Sequence, residues 1–163
     1  INEKRCWVCG DTLGRNMAFV LGPMCTINRT SAEAPCHLEC AEFSARACPF
    51  LTQPRMKRMD LDKKGIVTHE GAGIALKRNP GCCCVWVTRD YTLMRVDGGV
   101  LFRLGEPTRV LWFAEGRTAT RDEVMESIRT GLPLLEDVAK QQGPEAEAAL
   151  VQYHQKSLAY LPL

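Results

Sequence analysis

Two short clusters constrain this chain more than anything else in it: Cys6-Trp7-Val8-Cys9-Gly10 and Cys36-His37-Leu38-Glu39-Cys40. Two cysteines two residues apart close a turn on one metal ion. A glycine after the second relieves strain and turns backbone amides toward the sulfurs. A structural zinc takes four ligands in a tetrahedron, so a second pair is required. On a helix, His37 and Cys40 stand at i and i+3 and share a face, as do Cys36 and Cys40 at i and i+4. The favoured set is Cys6, Cys9, His37 and Cys40, three thiolates and one imidazole. Cys36 is the alternative to His37. Four ligands for four positions leave none open for substrate water, which predicts structural and not catalytic zinc.

The remaining cysteines read differently. There are nine in 163 residues, an odd number that disulfides cannot exhaust, and too few for a disulfide scaffold. That predicts a reducing, cytoplasmic setting. Cys25, Cys48 and Cys82-Cys83-Cys84 are assigned to apolar packing, since a reduced cysteine behaves as a small hydrophobe. Glu3-Lys4-Arg5 lead into the cysteine motif and not into an apolar run, so no secretory signal is expected there. The stretch 16–28 is uncharged but is broken by Gly22-Pro23 and falls short of the ~18 apolar residues that span a bilayer.

A knuckle, a hairpin and then a helix bearing the last two ligands resembles a treble-clef zinc finger over residues 4–50. That resemblance places the knuckle ligands on Cys6 and Cys9 and the helix ligands on His37 and Cys40. The whole chain also resembles small uncharacterised proteins encoded by phages and prophages. Leu13-Gly14-Arg15 to Pro23-Met24, Ala47 to Leu51 and Glu115 to Arg121 carry this second resemblance. The family brings no established activity with it.

The elements predict an α+β protein. Residues 1–51 form the treble-clef-like module, with a hairpin of Met17–Leu21 and Met24–Asn28 and a helix over Cys36–Ala47. Residues 52–80 show no period and read as a long mobile loop. Residues 81–163 read as an antiparallel meander followed by helices, all packed as one compact unit. Asp97-Gly98 between Tyr91–Val96 and Gly99–Leu104 is a hairpin signal. Val110, Trp112 and Ala114 alternate with Leu111 and Phe113. Thr120 and Glu123 have capping-box spacing. Gly131-Leu132-Pro133 and Gly143-Pro144 are read as helix breaks. The buried stripe of the last helix is Ala146, Ala149, Leu150, Tyr153 and Ser157.

Enzyme signatures are thin. A nuclease of the HNH type built on a treble clef needs a general-base His on the hairpin, and 15–29 holds neither His nor Asp. The deaminase pattern H-x-E…P-C-x-x-C is present only out of order. No phosphate-binding or dinucleotide fingerprint occurs, and no small-molecule substrate is evident. Binding is therefore the expected role, first to a host or phage protein complex. Nucleic acid is the alternative and a nuclease the second alternative. The net charge is only +2, but residues 1–80 hold 12 basic and 8 acidic side chains. Lys4, Arg5, Arg15 and Arg29 are candidate phosphate contacts, with Trp7 stacking on an unpaired base. Arg117 and Arg121, with Gly116, Thr118 and Thr120 at a helix start, are an anion candidate.

Overall fold

The computed structural model describes residues 3–53, 55, 56, 76 and 78–163. Most of the expected loop at 52–80 lies outside the described residues. Asn79 joins the two sides of that stretch: its amide nitrogen lies 3.1 Å from the carbonyls of Phe50, Gln53 and Met56, and its oxygen accepts from the Gly81 amide.

The chain is α+β. Its elements run β1 (Met17–Leu21), α1 (Pro23–Asn28), β2 (Thr30–Ser31), α2 (Leu38–Ala47), α3 (Pro49–Thr52), β3 (Cys83–Thr88), β4 (Tyr91–Val96), β5 (Gly99–Leu104), β6 (Pro107–Ala114), β7 (Arg117–Thr118), α4 (Arg121–Gln142) and α5 (Pro144–Ser157). A final 3-10 turn covers Leu158–Tyr160. Both sheets are antiparallel, in the orders β1-β3-β6-β7 and β2-β5-β4.

β3 is the centre of the fold. All six of its residues are buried. A continuous apolar run of this kind belongs to a strand covered on both faces. Cys84 and Trp86 join Phe19, Leu21, Trp112 and Ala114 under α1, α4 and α5. Cys83, Val85 and Val87 join Met17, Ala18 and Phe113 under Ala41 and Ala45 of α2. The alternation of Trp112 and Ala114 with Phe113 is as expected, and Cys82, Cys83 and Cys84 are core residues. Cys25 is exposed, against the packing expected of it, because it lies on the outer face of a helix.

That helix is α1, and it replaces the second arm of the expected hairpin. Gly22 is its N-cap, Pro23 occupies the first turn, and Thr26 Oγ1 donates back to the Gly22 carbonyl at 3.1 Å. Pro23, Met24 and Ile27 are buried, which is helical spacing. The partner of β1 is instead the distant β3.

The strands do not form the single meander expected. β3 and β6 pair with each other, with a register irregularity between Val87 and Thr88, and the chain between them leaves as the hairpin β4–β5. The crossing is tight. A Cβ on Gly105 would overlap the carboxyl group of Asp90. Thr88 Oγ1 donates to the Glu106 carbonyl at 2.9 Å and closes the neck.

Pro133 does not break the helix. α4 runs unbroken from Arg121 to Gln142, because Val124, Ser127, Ile128, Gly131, Leu135 and Ala139 form one buried stripe across it. Packing on both sides of the proline overrides its local cost. Gly131 is a packing residue, since a Cβ there would lie 2.6 Å from Arg78 Nη1. The break at Gly143-Pro144 is as expected, with Gly143 at φ 107°. On α5, Leu150 and Ser157 are buried, while Ala146, Ala149 and Tyr153 are half-buried.

Candidate metal centre

The knuckle is a tight hairpin. Arg5 and Thr12 pair as a β-bridge. The Cys6 amide donates to the Asp11 carbonyl at 2.7 Å, and the Gly10 amide to the Cys6 carbonyl at 2.9 Å. Gly10 sits at φ 81°, the left-handed region in which glycine carries no Cβ penalty. The Trp7 amide reaches across to the Pro35 carbonyl at 3.1 Å, tying the knuckle to the segment that leads into α2.

α2 begins two residues later than expected, at Leu38. His37 is its extended N-cap and Cys40 lies in its first turn. A side chain at the N-cap and one three residues on still meet, by the geometry that permits a capping box. Cys6, Cys9, His37 and Cys40 thus converge, with one ligand atom from each lying within 4.8 Å of all the others. His37 Nδ1 is 3.4 Å from Cys9 Sγ and 4.0 Å from Cys40 Sγ. Zinc bonds of about 2.3 Å to sulfur and about 2.0 Å to nitrogen, at tetrahedral angles, place N and S about 3.5 Å apart. The group therefore fits a four-coordinate ion of that size.

The imidazole is oriented by its other nitrogen. Nε2 lies 3.1 Å from the Thr12 carbonyl. A carbonyl only accepts, so Nε2 carries the proton and Nδ1 offers its lone pair to the sulfurs. That hydrogen bond also raises the His37 pKa. Burial pushes the Cys6 thiol up, but the backbone amides of Cys9, His37 and Val8 outweigh it and bring the thiol down to about 6. The His37 amide, for instance, donates to Cys6 Sγ at 3.4 Å. Cys40 moves the other way, to about 11, through burial and the neighbouring Cys6 and Cys9. Three thiols crowded together do not all ionise readily. A cation among them reverses that balance.

Cys36 is turned away from the centre. It is buried, bridges to Ala18, and its Sγ–H donates to the Ala18 carbonyl at 3.4 Å. Burial pushes its thiol up to about 12. The alternative ligand of the sequence reading is thus a core residue, because the chain is still extended there and alternation points Cys36 opposite to His37.

The seven candidate anion contacts separate into two groups. Lys4, Arg5, Trp7 and Arg15 are exposed on or beside the knuckle, Arg5 pairing with Glu3 at 2.7 Å. Arg29, Arg117 and Arg121 are engaged by partners within the chain, Arg29 largely buried and the other two at the surface. Arg29 bonds Glu106 at 2.5 Å and Tyr160 Oη at 3.1 Å and lies over the rings of Trp86 and Tyr160. Arg117 makes a two-pronged contact with Glu123, at 3.0 and 2.6 Å. Arg121 donates to the Pro162 carbonyl at 2.9 Å. The helix start at Thr120 is a completed capping box, as the spacing predicted.

No known protein family, curated protein or solved structure matches the chain. Its own residues carry the rest of the argument. Two further large side chains are exposed on the knuckle and α2, Val8 at 47% and Phe43 at 66%, and Trp7 is 66% exposed. Phe43 lies three residues past Cys40 and opposite the buried Ala41 and Ala45. That offset was the available signal. No helix is long and apolar enough to cross a membrane among the described residues.

Proposed function

We propose that this is a non-enzymatic, zinc-binding accessory protein, phage-encoded and cytoplasmic, whose N-terminal module docks on a host or phage protein complex. The carrying observation is the exposure of Trp7 and Val8, inside the knuckle, and of Phe43, three residues past Cys40 on α2, on the two elements that supply the Cys6, Cys9, His37, Cys40 cluster. Large aromatic side chains held in solvent by a cross-linked backbone are costly unless a partner covers them, and they are the residue types that dominate binding energy. Thiolates with one imidazole in a tetrahedral set favour zinc. The ion would fasten the knuckle to α2 and give the surface a fixed shape. The module is treble-clef-like in that a CxxCG knuckle supplies two ligands and a helix start supplies two. It departs from that pattern where α1 and β2 occupy the place of a simple hairpin.

Metal analysis and affinity capture test this reading. The purified chain should carry about one zinc, and less than about 0.5 per chain overturns the central claim. A protein partner should be retained after nuclease treatment and lost with Trp7→Ala or Phe43→Ala. A second reading, single-stranded nucleic acid, is favoured by the exposure of Trp7, Lys4 and Arg15 in the knuckle and the segment just after it. It requires salt-dependent binding in an anisotropy assay, and no binding at low salt ends it.

A further inference from the structure

The cysteines of the metal cluster differ in how open they are to solvent. Cys6 is 3% exposed and Cys40 is half-buried, whereas Cys9 is exposed. Cys6 Sγ also accepts from the His37 amide at 3.4 Å. Cysteines that hold an ion do so as thiolates, and the thiolate is the nucleophilic form. Cys9 is therefore the ligand that a small oxidant in solution reaches first. A second thiolate stands in the same turn. The Gly10 amide closes that turn on the Cys6 carbonyl at 2.9 Å, and the ligand atoms lie within 4.8 Å of one another. Of the thiols in the cluster, Cys6 and Cys9 are joined by the shortest stretch of chain, so pairing them closes the smallest loop. Cys40 belongs to α2, and the Cys36 thiol is turned to the Ala18 carbonyl.

We propose that Cys9 is a peroxide-sensitive thiolate and Cys6 its resolving partner, an assignment that rests on the zinc centre proposed for Cys6, Cys9, His37 and Cys40. Hydrogen peroxide switches the centre off by joining the two sulfurs. Cys9 Sγ attacks one peroxide oxygen, the O–O bond breaks, and the departing hydroxide takes a proton from water solvent to leave as water. The sulfur is then a sulfenic acid. Cys6 Sγ attacks it, the S–S bond forms and the S–O bond breaks, and the second hydroxide leaves as water in the same way. Two thiolates have lost two electrons, and one peroxide has become two waters. A disulfide sulfur is no longer a thiolate, so two of the four donors are gone. The new bond lies wholly within the knuckle and ties it to nothing else. Hydrogen bonds such as the Trp7 amide to the Pro35 carbonyl, at 3.1 Å, are left to hold the knuckle against the segment before α2. Trp7 and Val8 then lose their fixed position relative to Phe43. A disulfide from Cys9 to Cys40 would do the opposite and staple the knuckle to the helix.

The test begins with the zinc content of the full chain. Less than about 0.5 per chain sinks the zinc centre, and this proposal with it. With about one zinc bound, any later failure belongs to the switch alone. Excess hydrogen peroxide should then lower bound zinc from about one per chain to near zero, followed with a chromogenic chelator. The tryptic peptide 6–15 should become lighter by two hydrogens and closed to alkylation. Dithiothreitol with added zinc should restore both readings. Amide hydrogen exchange across residues 5–12 should quicken in the oxidised chain. Cys25→Ser removes the other exposed thiol and should leave the zinc loss unchanged. Zinc retained in excess peroxide overturns the proposal, as does a disulfide that includes Cys40. Zinc loss that requires Cys25, or exchange across 5–12 that stays as slow as in the zinc-bound chain, also overturns it.

Discussion

At the scale of single residues, the metal centre depends on which nitrogen of one imidazole is free. The Thr12 carbonyl accepts a hydrogen bond from Nε2–H, so the Nδ1 lone pair is the one free to hold a metal ion. His37→Ala removes a ligand, and zinc content should fall well below one per chain, with a loss of affinity exceeding the 10–100-fold seen when only outer-shell partners are removed. Cys36→Ser should retain zinc, since its thiol faces Ala18. Metal quantification on the two variants checks both statements. Loss of zinc in Cys36→Ser with retention in His37→Ala would reverse the ligand assignment. The ligand types and their spacing were legible in the sequence. The choice between His37 and Cys36 was not, because it turns on whether residue 36 is helical or extended.

Among the elements, α4 shows local and tertiary signals acting together. Thr120 Oγ1 accepts from the Glu123 amide at 3.3 Å, and the Thr120 amide donates to Glu123 Oε2 at 2.8 Å. Thr120→Ala should cost about 1 kcal/mol in chemical denaturation. The Arg117 guanidinium, then the Thr120 amide, hold the Glu123 carboxyl at about 2, down from 4.5. A depressed carboxyl contributes stability that is present above pH 4.5 and is lost as pH falls through about 2. Glu123→Gln should flatten that part of the acid limb, and an unchanged limb would sink the assignment. The capping box could be read from four residues. The continuity of α4 through Pro133 could not, since it depends on the sheet that both halves of the helix cover. The helical form of α1 has a related cause: Met24 to Asn28 is short enough to fit either period, and contacts with α4 and α5 decide it.

For the whole molecule, the core is built on β3, and its cysteines set the behaviour in alkali. Burial pushes Cys82 to about 11 and Cys83 to about 12, from 9.0, and raises Cys84 as well. A raised thiol stays protonated in the fold while the unfolded chain ionises, so stability is full below pH 9 and falls as pH rises toward 11 to 12. Denaturation midpoints should drop over that window, and Cys83→Ala should lessen the drop. Arg29 links distant parts of the same core. It follows α1 in the left-handed region at φ 53°, bonds Glu106 after the β4–β5 hairpin, and lies over Trp86 and Tyr160. Trp112 Nε1 adds a bond to the Tyr160 carbonyl at 2.8 Å. Arg29→Ala should cost about 1–3 kcal/mol, measured as a lower denaturation midpoint. A neutral substitution would show that the network contributes nothing net.

The amino-acid sequence by itself determined the Cys and His set that could hold a metal ion, the α+β composition, the β4–β5 hairpin and the cap of α4. Each of these is written in residues a few positions apart, where period and spacing suffice. Only the tertiary structure decided that Cys36 faces the core, that Met24 lies on a helix, that β4–β5 leaves the main sheet, and that Arg29 is a structural residue. In each case the competing local conformations are close in energy, and burial against residues tens of positions away chooses between them.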